Sequence, residues 1–415
     1  MSESVKKINL DPSQRVESID VLRGITILVM IFVNDIAGVN GTPAWMRHVS
    51  AQADGMTFVD VVFPAFLFIV GMAMPFAIGK RLERGDGLWQ TWKHILIRTL
   101  GLLIIGVVMV NENTVSDDTL INRQLLFLIA YAGVILIWNK PHGVNKQLIS
   151  NLRYAGFIFL IAYAFLYRGN NAAGIIQLRT QWWGILGLIG WAYLVSCLFY
   201  IWLRKNALGL AGVMVILYCV SLADASGFFD KLTWINSWIN IGGALGSHPA
   251  IVVSGALLGM MIRSGSSLRT HNAQIGRAAL YGLVLATVAV LLHSLHDIHR
   301  IFTYNKILAT PAWCLLSSAY TIWIWLVVYW LIDVKQWNRW TKIVEPAGSN
   351  ALFAYILAPI IMYILELIAL IFGGYNFYYE LGGSFAVGFW RSLISAFLIT
   401  WLAGGLRRAG IWLRL

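Results

Sequence analysis

Charge is what this chain has least of. Charged residues make up 12% of it, against 59% hydrophobic and 13% aromatic. A soluble domain of this length could not bury so much apolar surface, whereas helices standing in lipid stay apolar all round. Cysteine is nearly absent: Cys197, Cys219 and Cys314 all fall within apolar runs. No disulfide framework is readable from them, and they read as small packed hydrophobes. No Walker A loop and no GxGxxG turn leading into a helix occurs, which removes ATP and dinucleotide binding of the usual kinds. The opening MSESVKKINLDPSQRVES has neither the short basic start nor the cleavage site of a signal peptide, so the first helix is expected to be retained. No stretch is polar and long enough for a soluble domain. No two similar halves are visible either, which counts against the repeat architecture common in transporters.

Long apolar runs are what the chain has in abundance. A bilayer core needs ~20 apolar residues per helical span. Twelve runs meet or approach that length, at roughly 19–38, 57–79, 94–110, 119–138, 150–167, 183–203, 207–222, 247–263, 275–293, 310–332, 347–373 and 384–406. The expected fold is an all-α polytopic membrane bundle of about 10 to 12 transmembrane helices. Residues 1–18 form a short arm before a single integral membrane domain, 19–415.

The net charge of +12 would suit a polyanionic partner, but its distribution gives another reason for it. All but eight of the 31 Lys and Arg fall on alternate loops and at the two ends, among them Lys80, Arg81, Arg84, Lys140, Arg204, Lys205, Arg339, Arg407 and Arg408. Cytoplasmic loops retain positive charge, so both termini are expected in the cytoplasm and the loop holding His48 outside. Basicity here reports orientation, not nucleic acid. Trp182, Trp183, Trp234 and Trp238 lie in outer loops and suit the aromatic belt of a membrane interface.

The stretch from Asn34 to Gly71 is where chemistry is expected. It leaves the first apolar run, crosses a polar loop with one histidine, His48, and returns through Asp60 and FPAFLFIVG. An imidazole, with an ordinary pKa of about 6.5, accepts a proton near neutrality. Asn34, on the last turn before the loop, has an amide able to donate to an oxyanion or to fix the His48 ring. Taken alone, a loop histidine and a helix-end asparagine are usually surface and cap. Asp60 opens the second helix, where negative charge is favoured, so a cap explains it equally well. Pro64 and Pro75 each remove a backbone donor from that helix and should kink it.

Several other polar residues invite a role. Asn305 and Lys306 share an outer segment, and Lys306 is one of the few basic residues on that face. Glu366 lies well inside the eleventh run, where an ionisable group is expensive and turns inward. His293, His296 and Asp297 share a helical face that could hold Zn²⁺, but no catalytic zinc sequence surrounds them. A solvated helix end is the plainer reading, and no metal is expected. On the inner side Arg23, Arg81 and Arg98, with Lys80, Arg84, Arg263 and Lys335, could meet phosphates, although the charge pattern alone predicts them.

Taken in order, ESIDVLRGITILVMIFVN, a loop histidine, FVDVVFPAFLFIVGMAM, YNKILATPAWCLLSSAY, YWLIDVKQWNRW and GSNALFAYIL resemble the heparan-alpha-glucosaminide N-acetyltransferase family. The resemblance extends to its bacterial relatives in the transmembrane acyltransferase superfamily, and it touches roughly 15–110 and 247–360 of the sequence. It departs where TLINRQLL stands in place of the family's RIPGVLQR-like stretch, and where a helix pair near 183–222 reads as inserted. The resemblance implies transfer of an acetyl group from cytosolic acetyl-CoA to an amino sugar or glycan on the opposite face. It implies catalytic roles for His48, as general base or acetyl carrier, and for Asn34. Asp60, Asn305, Lys306 and Asn350 of the SNA segment become substrate or oxyanion contacts, and Arg23, Arg81 and Arg98 contacts to CoA. The expected setting is a bacterial inner membrane, among lipids, with a homodimer left open. The rival from another class is a transporter or flippase of a small polar solute or lipid-linked sugar.

Overall fold

A computed structural model describes residues 16–141, 145–170, 174–263, 270–413 and 415. Most of the expected N-terminal arm therefore lies outside the described residues. Each of the twelve apolar runs falls on a helix: α1 Glu17–Ile36, α2 Phe58–Met74, α3 Leu88–Val110, α4 Arg123–Trp138, α5 Lys146–Leu166, α6 Gly184–Leu203, α7 Ala207–Ala225, α8 His248–Arg263, α9 His271–His293, α10 Pro311–Tyr329, α11 Ala351–Ile371 and α12 Phe385–Arg408. No strand occurs among the described residues. Ten of these helices, with their extensions, are long and apolar enough to cross a membrane. The other two are α4, with 16 residues, and α1, which carries Glu17, Asp20, Arg23 and Asp35 near its ends. The all-α polytopic architecture is as the runs dictate.

Three of the helices are extended by π-helical turns. Pro75 cannot donate a backbone hydrogen bond, so α2 widens into a π turn, Pro75–Gly79, before closing as Lys80–Glu83. Arg263 then donates to the Pro75 carbonyl at 2.7 Å. A second π turn, Ile241–Ser247, leads into α8, and a third, Trp330–Val334, follows α10. Pro64, in contrast, lies within the regular part of α2.

The chain divides into two compact units, each assembled from separated segments. The first holds the chain through Arg23, Trp45–Leu100 and Leu188–Trp340; the second holds Gly24–Ala44, Gly101–Gly187 and Thr341–Leu415. At the centre of the first, α2 and α8 pack backbone to backbone. A Cβ on Gly71 would stand 1.9 Å from the Val252 carbonyl oxygen, and one on Gly255 2.0 Å from that of Phe68. Only glycine allows that approach, the small-residue packing typical of helices in lipid. The two helices are accordingly the most enclosed, with 72% and 83% of their apolar windows buried, against 11% for α5 in the second unit. Cys197 and Cys314 are packed as expected, while Cys219 is exposed on α7, turned away from its unit's interior.

Candidate active site

α2 begins where it does because Asp60, in its first turn, accepts from the Thr57 backbone N–H at 3.1 Å, half of a capping box. Capping is only part of its work. The same carboxylate oxygen lies 3.3 Å from the Val49 N–H, and the other oxygen meets His48 Nδ1 at 2.7 Å. The Asp60 side chain is 1% exposed and the His48 side chain 41%. An enclosed carboxylate is tolerable only when paired and hydrogen-bonded, and here the loop supplies both. Because an ionised carboxylate only accepts, the short contact assigns a proton to His48 Nδ1. The other ring nitrogen, Nε2, is then the one able to take a proton.

Lys306 closes this arrangement. Its Nζ is 3.3 Å from both ring nitrogens of His48. Equal distances place the ammonium midway between the two nitrogens, in line with neither one's lone-pair direction. Burial pulls the Lys306 pKa down to about 8, with the Asp60 carboxylate holding it from falling further.

Asn305 is fully enclosed and already committed. Both donors of its amide reach backbone carbonyls of the His48 loop, Ser50 and Ala53, each at 2.8 Å, and its oxygen accepts from Leu308 N–H at 3.1 Å. An asparagine amide has two donors, so Asn305 is a clasp between segments rather than a free oxyanion donor in this structure. Thr57 also has a local partner, donating to the Arg47 carbonyl at 2.9 Å.

A second clasp stands beside the first. His293 Nε2 meets Asp54 at 2.7 Å, Tyr304 N–H donates to the other Asp54 oxygen at 2.8 Å, and Gly55 N–H donates to the Tyr304 carbonyl at 2.9 Å. The His293 ring is stacked on Tyr304, with centroids 4.1 Å apart, and on His296. Such parallel stacking aligns the rings face to face instead of converging their nitrogens. Among the described residues no group of three or more His, Cys, Asp or Glu could hold a metal ion.

Asn34 and Asn350 belong to the second unit. Asn34 is exposed on the last turn of α1, and its amide donates to the Tyr355 hydroxyl of α11. The next residue, Asp35, is tied down by Arg391 at 3.0 Å and the Tyr378 hydroxyl at 2.8 Å, the guanidinium lying 4.4 Å over the Tyr378 ring. Asn350 is buried where α11 begins; its amide donates to the Ile411 carbonyl at 3.2 Å and its oxygen is enclosed without a partner. Glu366 receives Gln124 at 2.9 Å and the Tyr379 hydroxyl at 2.6 Å.

The three arginines expected on CoA are each engaged by a different neighbour. Arg23 pairs with Asp20 at 3.0 Å and Arg81 with Asp86 at 3.4 Å, while Arg98 lies 4.8 Å over the Tyr193 ring. Sequence reasoning missed His248, on the first turn of α8. The signal was there in GSHPA, a histidine between a glycine-rich polar stretch and an apolar run. It also missed the Asp35–Arg391–Tyr378 triangle, because Asp35 stands more than 340 residues from the other two and leaves no local pattern.

These features define a polytopic helical membrane protein with an enclosed carboxylate holding an imidazole at the mouth of its second helix. The chain belongs to the family described as domain of unknown function DUF5009, which matches residues 15–243. It is also a distant relative of heparan-alpha-glucosaminide N-acetyltransferase. It is 35% identical to the Homo sapiens protein over 100 residues, 24% of this chain and 14% of the human one. It is 32% identical to the Mus musculus protein over 102 residues, 24% of this chain and 15% of the mouse one. The match thus spans about one seventh of those relatives.

Proposed function

We propose that this protein transfers an acetyl group from acetyl-CoA to the amino group of an amino sugar or glycan on the opposite side of the membrane. The observation that carries the proposal is the His48–Asp60 pair, in which an enclosed carboxylate fixes one ring nitrogen and leaves the other to act as a base. The partial likeness to proteins named as N-acetyltransferases supports it.

An amine acceptor is protonated in water and becomes a nucleophile only when it loses a proton. His48 Nε2 takes a proton from the attacking amine, and Asp60 stabilises the imidazolium that results. Lys306 places a positive charge where the thioester carbonyl becomes an oxyanion. Collapse expels the CoA thiolate, which takes up a proton. Direct transfer needs no covalent stage, and nothing in the site demands one; acetylation of His48 itself is the other route.

The basic residues on the expected cytoplasmic side suit CoA's phosphates. The Arg23–Asp20 and Arg81–Asp86 pairs are partly exposed, and such pairs contribute only ~0–1 kcal/mol, so a phosphate competes readily for either guanidinium. The charge pattern of the loops puts these arginines and His48 on opposite faces.

Purified protein in nanodiscs, given radiolabelled acetyl-CoA and glucosamine, should form labelled N-acetylglucosamine. Label retained on the protein without acceptor would favour the covalent route. Acetyl-CoA-independent solute uptake by proteoliposomes, with no labelled product, would replace the enzyme reading with the transporter one.

A further inference from the structure

His248 is an imidazole of the first unit that the mechanism above does not use. It is 6% exposed, on the first turn of α8 directly after the π turn Ile241–Ser247. Its ring meets that of Phe63 edge to face, with centroids 5.4 Å apart at 80°. Phe63 stands three residues along α2 from Asp60, hence on the same side of the helix, so one aromatic ring joins His248 to the helical face that carries Asp60. The charge of Lys306 acts on His248 as well, so both imidazoles feel the same ammonium. His248 Nδ1 is enclosed and has no hydrogen-bond partner. A buried polar nitrogen is normally satisfied, and an exception calls for a reason.

The other polar side chains of this unit described around His48 are already committed. Asp60 can only accept, Asn305 has both donors on the loop, Thr57 donates to Arg47, and Lys306, shared with the His48 ring, brings the oxyanion charge rather than a second fixed donor. Acyl transfer requires donors aimed at the carbonyl oxygen as it gains charge, and an enclosed donor serves better than one in water.

Resting on the acyl-transfer reading, we propose that His248 is a second catalytic histidine. Its Nδ1–H donates to the carbonyl oxygen of the acyl group in transit, while His48 takes the proton from the acceptor. Phe63 holds the ring edge-on, so the donor is in place before the acyl group arrives.

Three substitutions separate this role from packing. His248→Leu removes both nitrogens, His248→Asn retains an amide near the Nδ1 position, and His248→Gln carries its amide out toward Nε2. Full-length variants in nanodiscs would be assayed with acetyl-CoA and glucosamine, with elution profile and thermal melt as controls of folding. His248→Leu should lower kcat about 10²-fold and leave KM for acetyl-CoA within about twofold. His248→Asn should recover at least about tenfold of that loss, and His248→Gln should not. Wild-type kcat in the Leu variant would overturn the proposal, as would equal losses in all three or recovery by Gln alone. If His248→Leu does not fold, Asn exceeding Gln by about tenfold supports the role and equality defeats it. A wild-type protein that transfers no acetyl group defeats the parent reading itself.

Discussion

Two histidine–aspartate pairs each draw one partner from the same loop of the first unit, with the same 2.7 Å separation, and they are built for different work. In His48–Asp60 the carboxylate is enclosed and holds Nδ1, leaving Nε2 of a half-exposed ring to react. In His293–Asp54 both partners are about 30% exposed, Nε2 is the nitrogen engaged, and the ring is stacked on Tyr304 and on His296. A short contact between the two residue types therefore does not make a site. The nitrogen left over, the burial of the carboxylate and access to the ring decide it.

That contrast can be broken deliberately. The largest effect should come from His48→Ala, which removes the base and should lower kcat toward the upper end of ~10²–10⁴-fold. His293→Ala, assayed beside it, should stay within about threefold of wild type, as expected of a residue outside the reacting groups. Comparable losses in the two would erase the distinction. Asp60→Asn should cost about 10²–10³-fold, because an amide no longer fixes the Nδ1–H tautomer. Its elution profile and melting curve separate that loss from misfolding.

Lys306 sharpens the comparison through pH. Brought down to about 8 by burial, it is cationic below that pH and neutral above it. If its charge supports the oxyanion, kcat should fall as pH rises through about 8, and Lys306→Arg should carry the rate past that point. A wild-type profile flat to about pH 10 would remove Lys306 from the chemistry.

The clasps should report in stability more than in rate. Asn305→Ala leaves two loop carbonyls without their donor and should destabilise by about 2 kcal/mol, read as a lower melting temperature in detergent. Asp54→Asn, in the more exposed pair, should change stability by less than about 1 kcal/mol and leave kcat unaltered. A melting shift larger than that of Asn305→Ala would mean that the second pair, not the first clasp, holds the loop.

Much of this was written into the sequence. Twelve apolar runs gave the helices, because a membrane span depends on local hydropathy and length, and Pro75 marked where α2 changes its winding. Asp60 was legible as a helix start for the same local reason. Its grip on His48 was not, since a side chain reaching back to a loop residue twelve positions earlier has no helical or strand period to betray it. Asn305 read as a donor for substrate, and folding spent both of its donors on Ser50 and Ala53, some 250 residues away. Glu366 announced itself as an intramembrane acid, but Gln124 and Tyr379 became its partners only through packing. Composition and periodicity settled which segments are helical and apolar, because each residue contributes to those properties independently. Which nitrogen stays open, which amide is used up and which imidazole is left without a partner were decided by tertiary contact, because hydrogen-bond saturation belongs to neighbours in space.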